Sequence, residues 1–400
     1  MSLNSTPSAQ RIHIGFFGMC NAGKSSLVNA VTGQALSVVS PVKGTTTDPV
    51  RKAMELLPLG PVVILDAPGL DDEGQLGEMR VAKARQLLEQ TTLAVLVVDA
   101  AVGLRDGDRQ LAALLRERRI PFLIALNKAD LLTDRPAPGE NEMYLSAATG
   151  EGVAELKARL GQFACQAEPP YPLVRDLLSP GDLVVLVTPI DEAAPKGRLI
   201  LPQQMVLRDV LDAHASAIVC QTEELSATLA ALGRKPRMVI TDSQAFAGAS
   251  RATPEDIPLT SFSILMARFK GELHELIDGF SMLEKLQDGD HVLICEGCTH
   301  HRQCNDIGTV KMPGWIEKIC GARPQYHFTS GGDFPQDLSP YRVIVHCGGC
   351  MLNQAEMHSR LRQARQAGVP MVNYGVAIAG MHGILRRSLA LFSLPEASDA

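Results

Sequence analysis

Long apolar runs are missing from this sequence. The longest, residues 93–98 and Leu183–Val187, have the length of buried strands and fall far short of a membrane span. The first eleven residues are polar, so no secretory segment is visible and a cytoplasmic location is expected. An excess of positive charge is missing too. Thirty-eight Lys and Arg stand against 44 Asp and Glu, a net charge of -6, which argues against broad nucleic-acid binding. The single basic cluster, Arg116 to Arg119, falls in a helical pattern and reads as a solvated face. Aromatics are scarce at 4%, and no internal repeat stands out. What remains is an ordinary globular composition, 46% hydrophobic and 20% charged, which excludes a disordered or fibrous chain.

Four hundred residues exceed what one hydrophobic core organises, so two or three domains are expected. Over residues 11–165, strand-like runs at Ile12–Phe17, 62–66, Leu93–Asp99, Phe122–Asn127 and 143–145 alternate with helical patterns at 24–31, Gln75–Gln90, 108–118 and 153–161. That alternation predicts a mostly parallel sheet covered on both faces. A Pro-rich stretch at 167–172 then reads as a linker. A second α/β pattern follows, with strands at Leu183–Val187, 217–221, Met238–Thr241 and 263–266 and helices at 202–213 and 222–232. A third opens with a helix at 269–286. Its strands read 291–295, 325–328, 341–346 and 371–374, with a helix at 353–367. The expected domains are 1–170, 171–267 and 268–400, all α/β, with a soft boundary between the last two.

Gly18-Met-Cys-Asn-Ala-Gly-Lys24-Ser25 follows a strand and opens a helix, the setting of a G-x-x-x-x-G-K-[ST] phosphate loop. Backbone N–H groups of Gly18, Asn21, Ala22, Gly23 and Ser26 can close around phosphates, helped by the helix N-terminus. Lys24 would reach the outer phosphates and Ser25 would ligate Mg²⁺. Asp66-Ala-Pro-Gly69 ends the 62–66 strand: its carboxylate suits Mg²⁺ and Gly69 offers an N–H to the γ-phosphate. Asn127-Lys128-Ala-Asp130 ends another strand. Asp130 would accept from the guanine N1 and 2-amino groups, a donor pair that adenine lacks, so GTP and GDP are expected over ATP. Ser146-Ala147-Ala148 can present an N–H to guanine O6. Gly44-Thr45-Thr46-Thr-Asp48 is placed to bring a threonine to Mg²⁺ and the γ-phosphate. Ser40 to Asp48 and Asp66 to Asp72 are the expected switch segments.

These motifs, in this order, resemble the TrmE–Era group of translation-factor-like GTPases. The position after Gly69 is Leu70, where Ras-type enzymes carry a water-positioning glutamine. The resemblance implies that Asn21 helps bind K⁺ beside the phosphates, where a monovalent cation stabilises developing charge. Lys24, Asn21, Thr46 and Gly69 are the expected catalytic set. Cys20 reads as a bystander.

Nine cysteines in a chain of this class are unlikely material for structural disulfides, and six of them lie between Cys295 and Cys350. Cys298-Thr-His300 follows one predicted strand and His346-Cys347-Gly-Gly-Cys350 follows another. If those strands are parallel, Cys298, Cys347 and Cys350 emerge at one sheet edge. Residue chemistry leaves two metals open: a structural zinc with His300 as fourth ligand, or a [4Fe–4S] cluster with three cysteines and a weaker fourth ligand. Cys165, Cys220, Cys295, Cys304 and Cys320 read as core or surface thiols.

A TrmE–Era-type GTPase joined to this C-x-H…H-C-x-x-C pattern resembles the HydF family of [FeFe]-hydrogenase maturation GTPases. Thr188-Pro-Ile-Asp191 and the segment from Ala194 to Gln203 belong to the same resemblance. It implies a [4Fe–4S] cluster on Cys298, Cys347 and Cys350, with Asp191 or His346 as candidate fourth ligand. It also implies a scaffold that receives a diiron precursor and passes it to apo [FeFe]-hydrogenase, with the radical-SAM maturation enzymes as further partners. The middle block resembles the family's dimerisation domain, so a homodimer is expected, with neither nucleic acid nor membrane as partner. The competing reading is an Era- or TrmE-like GTPase in RNA modification or ribosome assembly with a structural zinc.

Overall fold

The computed structural model describes residues 6–35, 50–68, 75–166, 171–190, 199–270, 273–297 and 306–392. The chain separates into two compact units, residues 1–168 with 353–356, and residues 169–352 with 357–400.

The first unit is built on a six-stranded sheet. Its strands are β1 (Ile12–Phe17), β2 (Val50–Leu56), β3 (Gly60–Asp66), β4 (Leu93–Asp99), β5 (Phe122–Asn127) and β6 (Glu142–Tyr144), in the order β2-β3-β1-β4-β5-β6. Every pairing is parallel except β2 with β3. The unbroken apolar run of β4 divides by the two-residue period of a strand. Val95 and Val97 join Ile14, Phe16, Leu27 and Leu160 in one core, while Ala94, Leu96 and Val98 join Phe17, Leu87, Leu111 and Leu115 in another. This is the Ras-like P-loop arrangement expected from the alternation of elements. The edge strand β2 was not anticipated, because Val-Arg-Lys-Ala-Met-Glu-Leu lacks the strict polar–apolar alternation of a half-buried strand and is largely exposed over residues 51–55.

The second unit holds two four-stranded, all-parallel sheets. One comprises β7 (Leu183–Val187), β8 (Ser216–Cys220), β9 (Met238–Thr241) and β10 (Leu259–Ser261), in the order β10-β9-β7-β8. The other comprises β11 (His291–Glu296), β12 (Gln325–Ser330), β13 (Val343–His346) and β14 (Met371–Asn373), in the order β12-β11-β13-β14. Two further α/β domains therefore follow the nucleotide-type domain.

One element differs in kind from the expectation. Residues 263–266 are not a strand but part of the Phe262–Phe269 helix; the strand of that region is β10, immediately before it. Short apolar runs do not distinguish a strand from a buried helix, and the deciding signal is the cap. Ser261 Oγ accepts the Ile264 N–H at 3.2 Å and turns the chain from strand into helix. The helix expected over 269–286 is likewise replaced by two shorter described helices, Leu273–Asp278 and Phe280–Leu283. Replacing Ser261 by Ala should cost about 0.5–2 kcal/mol. It should lower the urea midpoint of the full chain, and an unchanged midpoint would contradict the capping role.

Candidate nucleotide and cysteine sites

In the first unit the parallel strands bring their predicted motifs to one edge. The loop after β1, Asp66 at the end of β3, Asn127 at the end of β5 and Ser146 after β6 all lie at C-terminal strand ends, where open α/β sheets receive ligands. The phosphate-loop sequence folds tightly. Gly23 is left-handed (φ 88°), and a Cβ there would stand 2.3 Å from Asn127 Nδ2, so only glycine fits. Asn21 is exposed with φ 63°, a conformation asparagine tolerates better than most residues. Ala22 is buried, whereas Ser26 is half-buried on the first turn of the Lys24–Thr32 helix.

Lys24 is buried, and its Nζ donates to the carbonyls of Gly18 (3.0 Å) and Met19 (2.7 Å). Ser25 Oγ donates to Asp66 Oδ2 at 3.0 Å, so the two residues expected at Mg²⁺ already adjoin. Asn127 is the keystone of this edge. Its Nδ2 donates to Ala22 O at 3.0 Å and its Oδ1 accepts the Ala147 N–H at 3.0 Å, tying the phosphate loop to the 146–148 loop. Ser146 is fully buried and its Oγ accepts the Thr149 N–H, while Ala148 and Asp130 are exposed. Thr45, Thr46 and Gly69 lie outside the described residues, as do both expected switch segments apart from Asp66 to Pro68.

One partner in this site escaped sequence reading. Lys128, left-handed at φ 66°, pairs with Asp99 at 2.6 Å across the ends of β5 and β4. The signal was present: Asp99 ends an apolar strand as Asp66 and Asn127 do.

In the second unit β11 and β13 are parallel neighbours, with Cys295 opposite His346, so Cys347 follows at the C-terminal edge as expected. Cys347 N donates to Cys295 O at 2.9 Å, which continues the ladder one residue beyond the strand. Cys347 Sγ accepts two backbone N–H groups, from Gly297 at 3.0 Å and Gly349 at 3.3 Å. Gly349 is left-handed (φ 59°), which curls the loop back toward Cys347. Burial pushes the thiols of Cys347 and Cys350 up, the latter to about 11; for Cys347 the two N–H donors pull the other way. A buried neutral thiol with N–H donors aimed at it becomes a thiolate when a metal binds, so this donor set fits metal ligation. Cys298, His300 and Asp191 lie outside the described residues. Among the described residues, no three His, Cys, Asp or Glu side chains form a metal-binding group.

His346 has both ring nitrogens engaged. Nδ1 donates to Cys347 O (2.7 Å), and Nε2 accepts from the Arg360 guanidinium (2.9 Å), which must be the donor. Burial, reinforced by Arg360, holds the imidazole down to about 3. The ring therefore braces the loop and offers the thiols no lone pair in this arrangement. Cys295 is buried beneath the site with its thiol pushed up to about 12 by burial, in keeping with a core residue.

A phosphate loop and guanine-type motifs on a Ras-like sheet, joined to a cysteine loop on a parallel sheet, define a P-loop GTPase fused to a candidate metal-binding unit. Three family models match along the chain: 50S ribosome-binding GTPase over residues 13–128, hydrogen maturase F dimerization domain over 173–271, and hydrogen maturase F tetramerization domain over 274–391. The chain belongs to the hydrogen maturase F family. Its nucleotide domain is similar to the tRNA modification GTPase MnmE of Nitrosomonas europaea, 36% identical over 148 residues. That match takes in 36% of this chain and 32% of the relative, so the chain spans about a third of the length of the MnmE relatives it matches. It is also similar to the GTPase Era of Nostoc sp., 30% identical over 221 residues, or 54% of this chain and 67% of that one. Among solved structures, Era in complex with MgGDPNP and nucleotides 1506–1542 of 16S ribosomal RNA aligns with 52% of this chain and 93% of its own. The identity is 20% and the TM-score 0.36.

Replacing Asn127 by Ala removes both bridging hydrogen bonds and leaves the Ala22 carbonyl and the Ala147 N–H without them. A loss of about 1–3 kcal/mol in stability is expected, with weaker binding of a fluorescent GDP analogue. Unaltered nucleotide affinity would contradict the bridging role.

Proposed function

We propose that this chain is a GTP-hydrolysing scaffold that carries a [4Fe–4S] cluster and serves in the assembly and transfer of the diiron precursor of [FeFe]-hydrogenase. The observation that carries this reading is the pair of N–H donors on Cys347 Sγ, at the end of a strand parallel to the one that leads into Cys298. It gains its meaning from membership of the hydrogen maturase F family. Cys298, Cys347 and Cys350 would hold the cluster. With both His346 nitrogens engaged, Asp191 is the preferred fourth ligand, leaving one iron with a weak and exchangeable bond. When bound, the cluster supplies that iron as an attachment point for the cargo. Apo-hydrogenase would receive the precursor, with radical-SAM enzymes as suppliers, and a homodimer of this chain is the working form.

In the nucleotide domain, Lys24 and the backbone of Gly18 to Ser26 would hold the phosphates of GTP. Ser25 and Asp66 would hold Mg²⁺, Thr45 or Thr46 and Gly69 would contact the γ-phosphate, and Asp130 with Ser146 to Ala148 would read guanine. With Leu70 in place of a water-positioning glutamine, K⁺ held by Asn21 would take up charge in the transition state. Hydrolysis then serves as a switch on partner binding.

Two tests follow from the assigned residues. Asp130→Asn should lower GTP affinity at least tenfold and raise relative affinity for xanthosine triphosphate; an unchanged base preference would remove the guanine assignment. Cys347→Ala and Cys350→Ala should lose iron after anaerobic reconstitution while GTP turnover is retained. Full iron retention in both would refute the ligand set.

A further inference from the structure

The cysteine loop is held by a cation from outside its own block. Lys270 caps the Phe262–Phe269 helix, which falls in the region matched by the dimerization-domain model, while the loop falls in the tetramerization-domain match. Lys270 is buried. Its Nζ donates to Gly349 O at 2.8 Å and Leu352 O at 2.5 Å, carbonyls on either side of Cys350 and 79 and 82 residues away in sequence. The helix is fixed at its other end by Ser263: Asn373 Nδ2 donates to Ser263 O (2.9 Å) and the Gly375 N–H donates to Ser263 Oγ (3.2 Å). The Lys270 carbonyl accepts from His358 Nε2 at 2.6 Å. The ammonium is thus held at both its backbone and its head.

Burying a cation is costly unless it is hydrogen-bonded or faces a compensating charge. Two backbone carbonyls supply the first condition. A loaded site would add to the second: three thiolates around an iron–sulfur core would carry net negative charge, one more on reduction, and Lys270 already acts on Cys350, whose thiol it favours in the charged form. We propose that Lys270 is a positioning and charge-balancing residue of the cysteine site, fixing the Cys347–Cys350 loop from the neighbouring block and raising the reduction potential of the cluster bound there. The inference rests on the cluster reading above. A buried positive charge beside a cluster favours the reduced, more negative state, and net charge and hydrogen bonding are the protein's means of setting such potentials. Arg360, bonded through His346 to the Cys347 carbonyl, adds a second buried cation on the same loop.

The experiment is an EPR-monitored redox titration of the full chain after anaerobic reconstitution with iron and sulfide, in wild type, Lys270→Met and Lys270→Arg. Lys270→Met should hold the cluster at a more negative midpoint potential, and Lys270→Arg should return it toward the wild-type value. Wild-type potential in a fully loaded Lys270→Met overturns the inference. Failure of the wild type itself to take up iron overturns the cluster reading instead, so the two failures are distinct. Should Lys270→Met take up no iron, Lys270→Gln decides, since it keeps a donor without the charge. Loading at a lowered potential supports the inference, and loading at the wild-type potential overturns it.

Discussion

A strand paired in parallel must be re-entered from its far end, so each crossover helix returns the chain to the same starting edge and each strand empties at the opposite one. That constraint, repeated in three sheets, decides where this protein can do chemistry. In the nucleotide domain it collects the phosphate loop, Asp66, Asp99, Asn127 and Ser146 from widely separated parts of the sequence. In the last sheet it lines up the ends of β11 and β13, so that the chain leaving one strand and the thiol leaving the other meet through a single N–H···S contact.

At each edge a few buried polar contacts then convert proximity into geometry. Asn127 joins two loops with one amide, using its donor and its acceptor at once. Lys270 and the Arg360–His346 pair grip the cysteine loop at the carbonyls of Gly349, Leu352 and Cys347. These groups are worth more for position than for stability. A buried cation bonded to backbone carbonyls gains little over an apolar residue of similar volume, but removing one partner alone leaves the other exposed to the full desolvation cost.

What the sequence could reveal divides along the same line. The nucleotide motifs were legible because each is a local run whose residue types are dictated by the local fold: Gly23 by a left-handed turn against Asn127, Ser25 by its contact with Asp66, Asn127 by its two-sided amide. The place of Cys347 was legible because a thiol that follows a parallel strand must emerge at the edge where that strand ends. Lys270 and Arg360 were not, because an isolated Lys or Arg carries no pattern and the partners of Lys270 lie about 80 residues away. His346 was read as a possible ligand from its place beside Cys347; its contacts with the Cys347 carbonyl and with Arg360 show that its two nitrogens are otherwise engaged. The 263–266 segment was misread because Ser-Ile-Leu-Met fits a strand and a buried helix equally until Ser261 is seen as a cap.

The central claim is that a GTPase domain and an iron–sulfur site share one chain, and the identity of the metal tests it most directly. Purified anaerobically and reconstituted with iron and sulfide in the presence of competing zinc, the full-length protein should bind about four iron and four sulfide per chain, the content of one [4Fe–4S] cluster. Its reduced form should give an EPR signal. One zinc per chain with neither iron nor sulfide would contradict the account and return the cysteine loop to a structural role.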